Sequence, residues 1–198
     1  MSGIEPISVT GTTILEKSTY DAVEKNILLN REKKIIDSAV DYIKDYKVLK
    51  KIGSGMYARI FLLEDINGVN FVLKVIEEDM YETKDYNMLE TEIEIYKHFA
   101  SKYGDQCQDL GLLCLKNVFQ LSSDLGKIRY IILNYYGDSD LSIYLKNKNL
   151  NIYEKELIIF HLCKNLKLLH DNGISHKDIK PDNIRIDSDT KIVLDNLS

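Results

Sequence analysis

The sequence predicts an α+β fold, with strands and one helix in its first part and mainly helices in its second. Apolar and β-branched runs come in the order three strands, one helix, two strands. An Asn67-Gly68 pair, which is typical of a hairpin turn, joins the second and third runs. Beyond residue 140 the apolar residues follow the helical period instead. Strands and helices segregated along a chain in this way indicate an α+β fold.

The segment before the strands carries its own helical pattern. Residues 1–18 are polar and without a period, so we expect them to form a flexible arm. Residues 19–46 carry a helical stripe of apolar residues that is broken near Asn30. This stripe either packs on the following domain or binds a partner, and packing is the more ordinary role of such a stripe.

Each later element is predicted from a short local pattern. Strands are predicted over 46–52, 59–64, 71–76, 112–120 and 127–133, with a helix over 87–103 between the third and the fourth. One face of that helix holds Leu89, Ile93, Tyr96 and Phe99. Two helices are predicted over 141–146 and 153–171, and Asn172-Gly173 ends the second. Two short strands follow, over 184–186 and 191–194.

Composition excludes several classes of protein. The 198 residues are 44% hydrophobic, which argues against a disordered chain. The net charge of −5 argues against nucleic acid or an anionic membrane as the main partner. No apolar run is long enough to cross a bilayer, and the first residues lack the pattern of a secretory signal. We therefore expect a cytoplasmic protein.

The cysteines and histidines show no metal-ligand spacing. Cys107, Cys114 and Cys163 are odd in number, and we expect them to be buried, reduced thiols. The four histidines are scattered as well. Any metal that this protein uses should therefore be bound by oxygen ligands.

The strongest chemical signal is the run His176-Lys177-Asp178-Ile179-Lys180-Pro181-Asp182-Asn183, in a loop between the long helix and a short strand. It resembles the H-R-D-x-K-x-x-N catalytic loop of protein kinases, with Lys177 in place of the arginine. The resemblance implies that Asp178 orients a substrate hydroxyl and accepts its proton. It also implies that Lys180 neutralises charge on the transferring phosphoryl group and that Asn183 holds Mg²⁺.

The chain thus resembles the eukaryotic-type serine/threonine protein kinases, over about residues 46–198. This resemblance implies a two-lobed fold, with an N-lobe of residues 46–136, which holds an antiparallel sheet and one helix. A mainly helical C-lobe, residues 137–198, would be truncated after the D-F-G equivalent, and residues 1–45 would form an N-terminal extension. Lys180 favours serine or threonine as the acceptor, because tyrosine kinases usually lack a lysine there.

The glycine-rich run between the first two strands resembles the loop that covers the ATP phosphates. Glycines there let backbone N–H groups approach anionic oxygens without an intervening side chain. A plain hairpin turn is the alternative, and the lysine that follows on the third strand favours the phosphate loop. The residues implied to contact ATP are Ile52, Gly53, Ser54, Gly55, Met56, Tyr57, Ala58, Arg59 and Ile60.

The third strand contains Phe71-Val72-Leu73-Lys74, which resembles the V-A-I-K of the family. The resemblance implies that Lys74 contacts the α- and β-phosphates and pairs with a glutamate on the following helix. The helix offers Glu90, Glu92 and Glu94. We choose Glu92, because the run that begins there has the E-x-x-I-Y-K wording of casein kinase 1-like members.

Two further segments complete the predicted nucleotide site. Leu133-Asn134-Tyr135-Tyr136 falls where the family has its hinge. The resemblance implies that Leu133 is the gatekeeper and that backbone groups near Asn134 and Tyr136 bind adenine. Asp195 stands in place of the D-F-G aspartate, as a second Mg²⁺ ligand.

The sequence also departs from the family pattern. Asn196 and Leu197 replace the phenylalanine and glycine of D-F-G, and the sequence stops at Ser198, before an activation segment. Arg185 stands where the family usually places an apolar side chain under adenine. It either stacks on the base or points away from it.

The resemblance therefore implies a serine/threonine protein kinase that uses ATP and Mg²⁺ and phosphorylates a protein. It would act in the cytoplasm, or in a host cell's cytoplasm if the source is a virus or a parasite. The alternative is a weak or inactive pseudokinase that binds a partner kinase or its regulator, and a third reading is a piece of a longer kinase. The complete set of charged residues favours catalysis, since a decoy has no chemical need for it.

Overall fold

The computed structural model describes residues 28–55, 58–80, 83–107, 109–137, 139–187 and 191–195. The chain divides into two compact units, residues 1–44 and residues 45–198. In the first unit, helix α1 covers residues 28–38 and turns follow it. The apolar stripe is broken near Asn30, yet α1 runs through that residue, because one asparagine lowers helix propensity by only a fraction of a kcal/mol. The predicted arm, residues 1–18, lies outside the described residues.

The second unit begins with a five-stranded antiparallel sheet in the order β1-β2-β3-β5-β4. Its strands are β1 (Tyr46–Ser54), β2 (Ala58–Asp65), β3 (Asn70–Glu77), β4 (Leu115–Ser123) and β5 (Gly126–Asn134). Each strand pairs antiparallel with its neighbours. The five strands predicted for the N-lobe are thereby confirmed.

The β2–β3 hairpin shows why Asn67-Gly68 marks a turn. The Asp65 carboxylate accepts hydrogen bonds from the backbone N–H groups of Asn67 and Val69, each at 2.8 Å. Gly68 has a φ of 79°, a conformation that costs residues with a Cβ atom. The aspartate and the glycine therefore fix the turn together, and the register of β2 against β3 follows from it.

Helix α2 (Thr83–Tyr103) follows β3, and its apolar face belongs to the main hydrophobic core. The four residues predicted for that face, Leu89, Ile93, Tyr96 and Phe99, are all buried. The helix begins four residues before the predicted Asn87, because its first turn has too few apolar residues to show a helical period.

The rest of the second unit consists of two helices and a small sheet. Helices α3 (Leu141–Asn147) and α4 (Ile152–Asp171) lie close to their predicted ranges. Strands β6 (Ser139–Asp140), β7 (Ile184–Ile186) and β8 (Ile192–Leu194) form an antiparallel sheet in that order. Strand β6 was not predicted, because two residues are too few to show a period. The predicted two-lobed kinase-like fold is confirmed.

A buried side chain connects α4 to this small sheet. Asn165 is only 2% exposed, and its Nδ2 donates a 2.7 Å hydrogen bond to the backbone oxygen of Ile192. Ile192 begins β8, the strand that leads to Asp195. A single amide thus anchors the strand that carries a predicted site residue.

The cysteines correct one expectation. Cys107 and Cys114 are buried as predicted, but they form a disulfide, whereas Cys163 is free and exposed. The chain turns back between Cys107 and β4, which brings the two Cα atoms to 5.6 Å, within the usual range for a disulfide. The number of cysteines and the expected redox compartment do not reveal that Cys107 and Cys114 lie close together in the fold.

Among the helices of the described residues, none combines the length and the apolar character needed to cross a membrane.

Replacing Asn165 by valine should lower the free energy of unfolding by about 2 kcal/mol, because the Ile192 carbonyl would be left buried without its partner. Urea unfolding followed by circular dichroism measures the change. Lys164→Val is the matched control, since Lys164 is the exposed neighbour on the same helix and its replacement costs only about a few tenths of a kcal/mol of helix propensity. Equal losses in the two variants would contradict a specific role of the amide.

Candidate active site

A cleft of about 700 Å³ lies against the five-stranded sheet, with Asp140, Ile143, Arg185 and Asp195 from the later elements on its wall. Most residues predicted to contact the nucleotide line it. They are Ile52, Gly53, Ser54, Gly55, Ala58, Ile60, Lys74, Asn134 and Tyr136, and the predicted gatekeeper Leu133 lines it too. Met56 and Tyr57 lie outside the described residues. A cleft of this size is within the range of small-molecule sites.

The glycine-rich loop is built from the end of β1 and the start of β2. The backbone N–H of Gly55 donates a 2.8 Å hydrogen bond to the oxygen of Ala58. Neither Gly53 nor Gly55 has a positive φ, and a Cβ atom added at Gly55 would meet nothing within 4 Å. Glycine is thus required there neither by the backbone nor by packing, and the open space on the cleft fits a ligand that approaches the backbone.

Arg59 is one predicted nucleotide contact that does not line the cleft. Its guanidinium pairs instead with the carboxylate of Glu77 on β3. Successive side chains of a strand point to opposite faces, so Ala58 and Ile60 face the cleft and Arg59 faces away from it.

Lys74, which lines the cleft, forms an ion pair with Glu92 of α2. Lys74 Nζ lies 2.8 and 2.9 Å from the two carboxylate oxygens of Glu92. The side chains are only 13% and 10% exposed, so water screens the pair weakly. Glu90 and Glu94 have other partners, Arg129 and Lys97 respectively.

Tyr96 extends this contact by one residue. Its hydroxyl donates a 2.7 Å hydrogen bond to Glu92 Oε1. Burial and the neighbouring Glu92 carboxylate raise the pKa of Tyr96 well above its usual value, so the hydroxyl stays protonated and remains a donor. The sequence indicated Tyr96 only as part of an apolar face. The separation of four residues from Glu92 is the signal that points to this pair.

The predicted hinge segment, residues 133–136, is hydrogen-bonded to Cys114. The backbone N–H of Asn134 donates to the oxygen of Cys114 at 3.0 Å, and Asn134 Oδ1 accepts from the Cys114 N–H at 2.5 Å. The Asn134 N–H is therefore committed within the protein. Gly137 then turns the chain with a φ of 68°, and a Cβ atom there would overlap the backbone oxygen of Ile186.

The predicted catalytic loop folds around Asp178. Lys177 has a φ of 64°, and the Asp178 N–H donates to the His176 oxygen at 2.9 Å, which together form a γ-turn. Lys180 Nζ and Asn183 Nδ2 each lie 2.7 Å from Asp178 Oδ2. The hydrogen bond from Lys180, together with that from Asn183, holds the pKa of Asp178 below its usual value.

The two predicted metal ligands are joined through the backbone. The Asp195 N–H donates a 2.9 Å hydrogen bond to the oxygen of Asn183. Asn183 directs its amide nitrogen to Asp178, at both the carboxylate and the backbone oxygen. An amide oxygen and a carboxylate are the ligand types that Mg²⁺ prefers. The described residues hold no cluster of three His, Cys, Asp or Glu side chains for a metal.

The structure adds Asp140 to the residues of the cleft. Asp140 lines the cleft and caps α3, where its carboxylate accepts the Ile143 N–H at 2.8 Å. Its position directly before a helix is the sequence signal of an N-cap, and nothing in that signal points to a cleft. Asn196 and Leu197, the departures beyond Asp195, lie outside the described residues.

Comparison with known proteins agrees with this geometry. The chain is 29% identical over 152 residues to the serine/threonine-protein kinase PKH2 of Candida albicans, which covers 76% of this chain and 15% of that protein. It is 28% identical over 163 residues to the maternal embryonic leucine zipper kinase of Danio rerio, covering 80% of this chain and 22% of that kinase. For the rabbit (Oryctolagus cuniculus) protein kinase C zeta type, the identity is 24% over 155 residues, 77% of this chain and 24% of that protein.

This chain thus spans about a quarter or less of the length of these relatives. The family model of the protein kinase domain matches residues 46–195, which include the sheet, the cleft and the loop around Asp178. The chain therefore belongs to the protein kinase family, as its catalytic-loop motif predicted.

Proposed function

We propose that this chain transfers the γ-phosphate of ATP to a serine or threonine hydroxyl of a protein, with Mg²⁺ as cofactor. The observation that carries the proposal is the closed Lys74–Glu92 pair, at 2.8 and 2.9 Å. Protein kinases need this strand-to-helix ion pair in place for catalysis, because it sets the lysine against the phosphates.

The cleft residues suit the parts of ATP. The apolar side chains of Val72 and Leu133 line the cleft and fit a purine, while Lys74 supplies a cation for the phosphates. The glycine-rich loop offers backbone N–H groups near the same lysine. Because the Asn134 N–H is already bonded to Cys114, a base would meet Asn134 at its carbonyl oxygen.

Asp178 is the residue that we propose to receive the proton. Its lowered pKa keeps it ionised at neutral pH, so it can accept a hydrogen bond from a serine or threonine hydroxyl and orient the oxygen lone pair. As the hydroxyl oxygen forms its bond to the γ-phosphorus, the bond from that phosphorus to the β,γ-bridging oxygen breaks and ADP leaves, and the hydroxyl proton passes to the Asp178 carboxylate. Lys180 holds that carboxylate and places a positive charge beside the transferring group.

Asn183 and Asp195 are the residues that would hold Mg²⁺. When bound, the ion neutralises charge on phosphate oxygens. The chain itself sets the spacing of the two ligands, through the hydrogen bond from the Asp195 N–H to the backbone oxygen of Asn183.

The acceptor class and the location are part of the same proposal. Lys180, and relatives named as serine/threonine kinases, support a serine or threonine acceptor in a protein. We propose an intracellular site of action, because ATP and Mg²⁺ are plentiful there.

Asp178→Asn should lower the rate of phosphate transfer by about a hundredfold to ten-thousandfold, because the amide accepts no proton. Transfer from Mg²⁺-ATP to the chain and to a generic protein substrate is read as added phosphate mass. Asp182→Asn is the matched control, as an exposed carboxylate in the same loop, and should keep the rate. No transfer by the folded wild-type chain, with ATP bound, would refute the kinase proposal and favour a partner-binding pseudokinase.

Glu92→Gln should lower kcat/KM for ATP by about tenfold or more, because Lys74 loses its charged partner and its fixed position. Glu94→Gln removes a carboxylate from the exposed face of the same helix and should change little. Steady-state kinetics over a range of ATP concentrations measures both. Equal values for the two variants would remove Glu92 from the proposed site.

Lys180→Met should raise the pKa of Asp178, because the Lys180 hydrogen bond is the main cause of its lowering. With a raised pKa, Asp178 becomes protonated at a higher pH. The fall in transfer rate on the acid side of the pH profile should therefore shift to higher pH as well. Titration of the carboxyl ¹³C shift by NMR measures the pKa directly. Lys177→Met, at the exposed neighbour, should leave it in place, and an unchanged pKa in Lys180→Met would contradict the assignment.

A further inference from the structure

Arg185 is a cation in the wall of the cleft, at a position where the kinase resemblance leads one to expect an apolar side chain. It lies in the middle of the three-residue strand β7, opposite Asp140 of β6 and Val193 of β8. Side chains of residues paired in this way share a face of the sheet. Arg185 and Asp140 accordingly both line the cleft.

The guanidinium reaches the candidate metal ligand. Arg185 Nε lies 3.4 Å from Asp195 Oδ2, and the two side chains are 36% and 20% exposed. The backbone N–H of Asp195 in turn donates a hydrogen bond to the backbone oxygen of Asn183. Arg185 therefore points towards the candidate metal site rather than away from the cleft, while part of its side chain remains exposed to solvent.

Asp140 does not draw Arg185 away from this position. Its Oδ1 already accepts hydrogen bonds from the Ile143 N–H and the Ser142 hydroxyl, each at 2.8 Å. That oxygen is committed to the start of α3, so Asp140 acts on Arg185 mainly through its charge. Asp195 is the carboxylate that Arg185 contacts directly.

A guanidinium stays charged at every accessible pH, so this cation cannot be removed by deprotonation. It attracts the carboxylate that would hold a divalent ion, and it would repel that ion as a like charge. It is equally a cation for the phosphates of a nucleotide that carries no metal.

We propose that Arg185 is a positioning residue that holds Asp195 and weakens divalent-ion binding at the Asn183–Asp195 pair, so that nucleotide binding depends less on Mg²⁺. The part that concerns nucleotide rests on the proposed function. The part that concerns the metal does not, because it rests on the contact between Arg185 and Asp195 and is tested without nucleotide.

The metal part is tested on the whole chain without nucleotide. Mn²⁺, as a paramagnetic substitute for Mg²⁺, is titrated into wild type, Arg185→Leu and Arg185→Gln, and the free ion is counted by electron paramagnetic resonance. Both variants should bind Mn²⁺ about fivefold more tightly than wild type, as expected for one partly screened charge. Arg185→Gln keeps a polar side chain and guards against misfolding of the leucine variant, with circular dichroism as the check.

Two controls show whether the gain arises at Asp195. In Arg185→Leu combined with Asp195→Asn, the gain in Mn²⁺ affinity over Asp195→Asn alone should disappear, because the carboxylate that Arg185 contacts is gone. Lys50→Leu removes a different cation that lines the cleft and should leave Mn²⁺ affinity close to wild type. Unchanged Mn²⁺ affinity in both Arg185 variants overturns the proposal, as does a gain that persists in the double variant or appears equally in Lys50→Leu.

The nucleotide part is tested by calorimetric titration of ATP with Mg²⁺ and with a chelator. The dissociation constant with chelator, divided by that with Mg²⁺, should be about fivefold larger in Arg185→Leu than in wild type. The reason is that ATP without a metal ion loses the Arg185 side chain as a cation for its phosphates. An unchanged ratio overturns this part. A wild-type chain that binds no ATP under either condition refutes the proposed function instead, and the Mn²⁺ titrations still decide the role of Arg185.

Discussion

The arrangement of the cleft depends on one buried ion pair, between Lys74 on β3 and Glu92 on α2. Removing two charges from water is costly unless the partners satisfy each other, and here both carboxylate oxygens accept from the lysine while Tyr96 adds a third hydrogen bond. A helix rotated or shifted by one residue would break both contacts with Lys74, while the Tyr96 hydrogen bond lies within α2 and would remain. The pair thus fixes the rotation of α2 against the sheet, and the apolar face beside it supplies the packing energy.

The other half of the site is held by backbone hydrogen bonds and short polar contacts. The three-stranded sheet brings Asp195 to Asn183, and Asn183 in turn holds Asp178 through two hydrogen bonds. Asn165 anchors the same sheet to α4. The proposed base and the proposed metal ligands are therefore positioned by one continuous network of hydrogen bonds. Because its members hold one another, the loss of one hydrogen bond affects the position of the next residue.

Three pairs of a cation and a carboxylate organise the candidate site. Lys74 and Lys180 each hold a carboxylate, Glu92 and Asp178, and Arg185 contacts a third, Asp195. Membership of the protein kinase family accounts for the first two pairs by resemblance. The third involves a residue that departs from the apolar side chain expected by resemblance, and it puts a permanent cation where the proposed chemistry brings a metal ion.

The sequence by itself determined the elements whose cause is local: the strands, the long helices, the Asn67-Gly68 hairpin and the catalytic-loop motif. Periodicity and turn chemistry act over a few residues, so they can be read without a partner. Only the tertiary structure decided that Arg59 faces away from the cleft, that Cys107 and Cys114 form a disulfide, and that Asp140 reaches the cleft wall. Those outcomes depend on which strands pair and how the chain turns back, and such contacts between distant residues leave no local pattern.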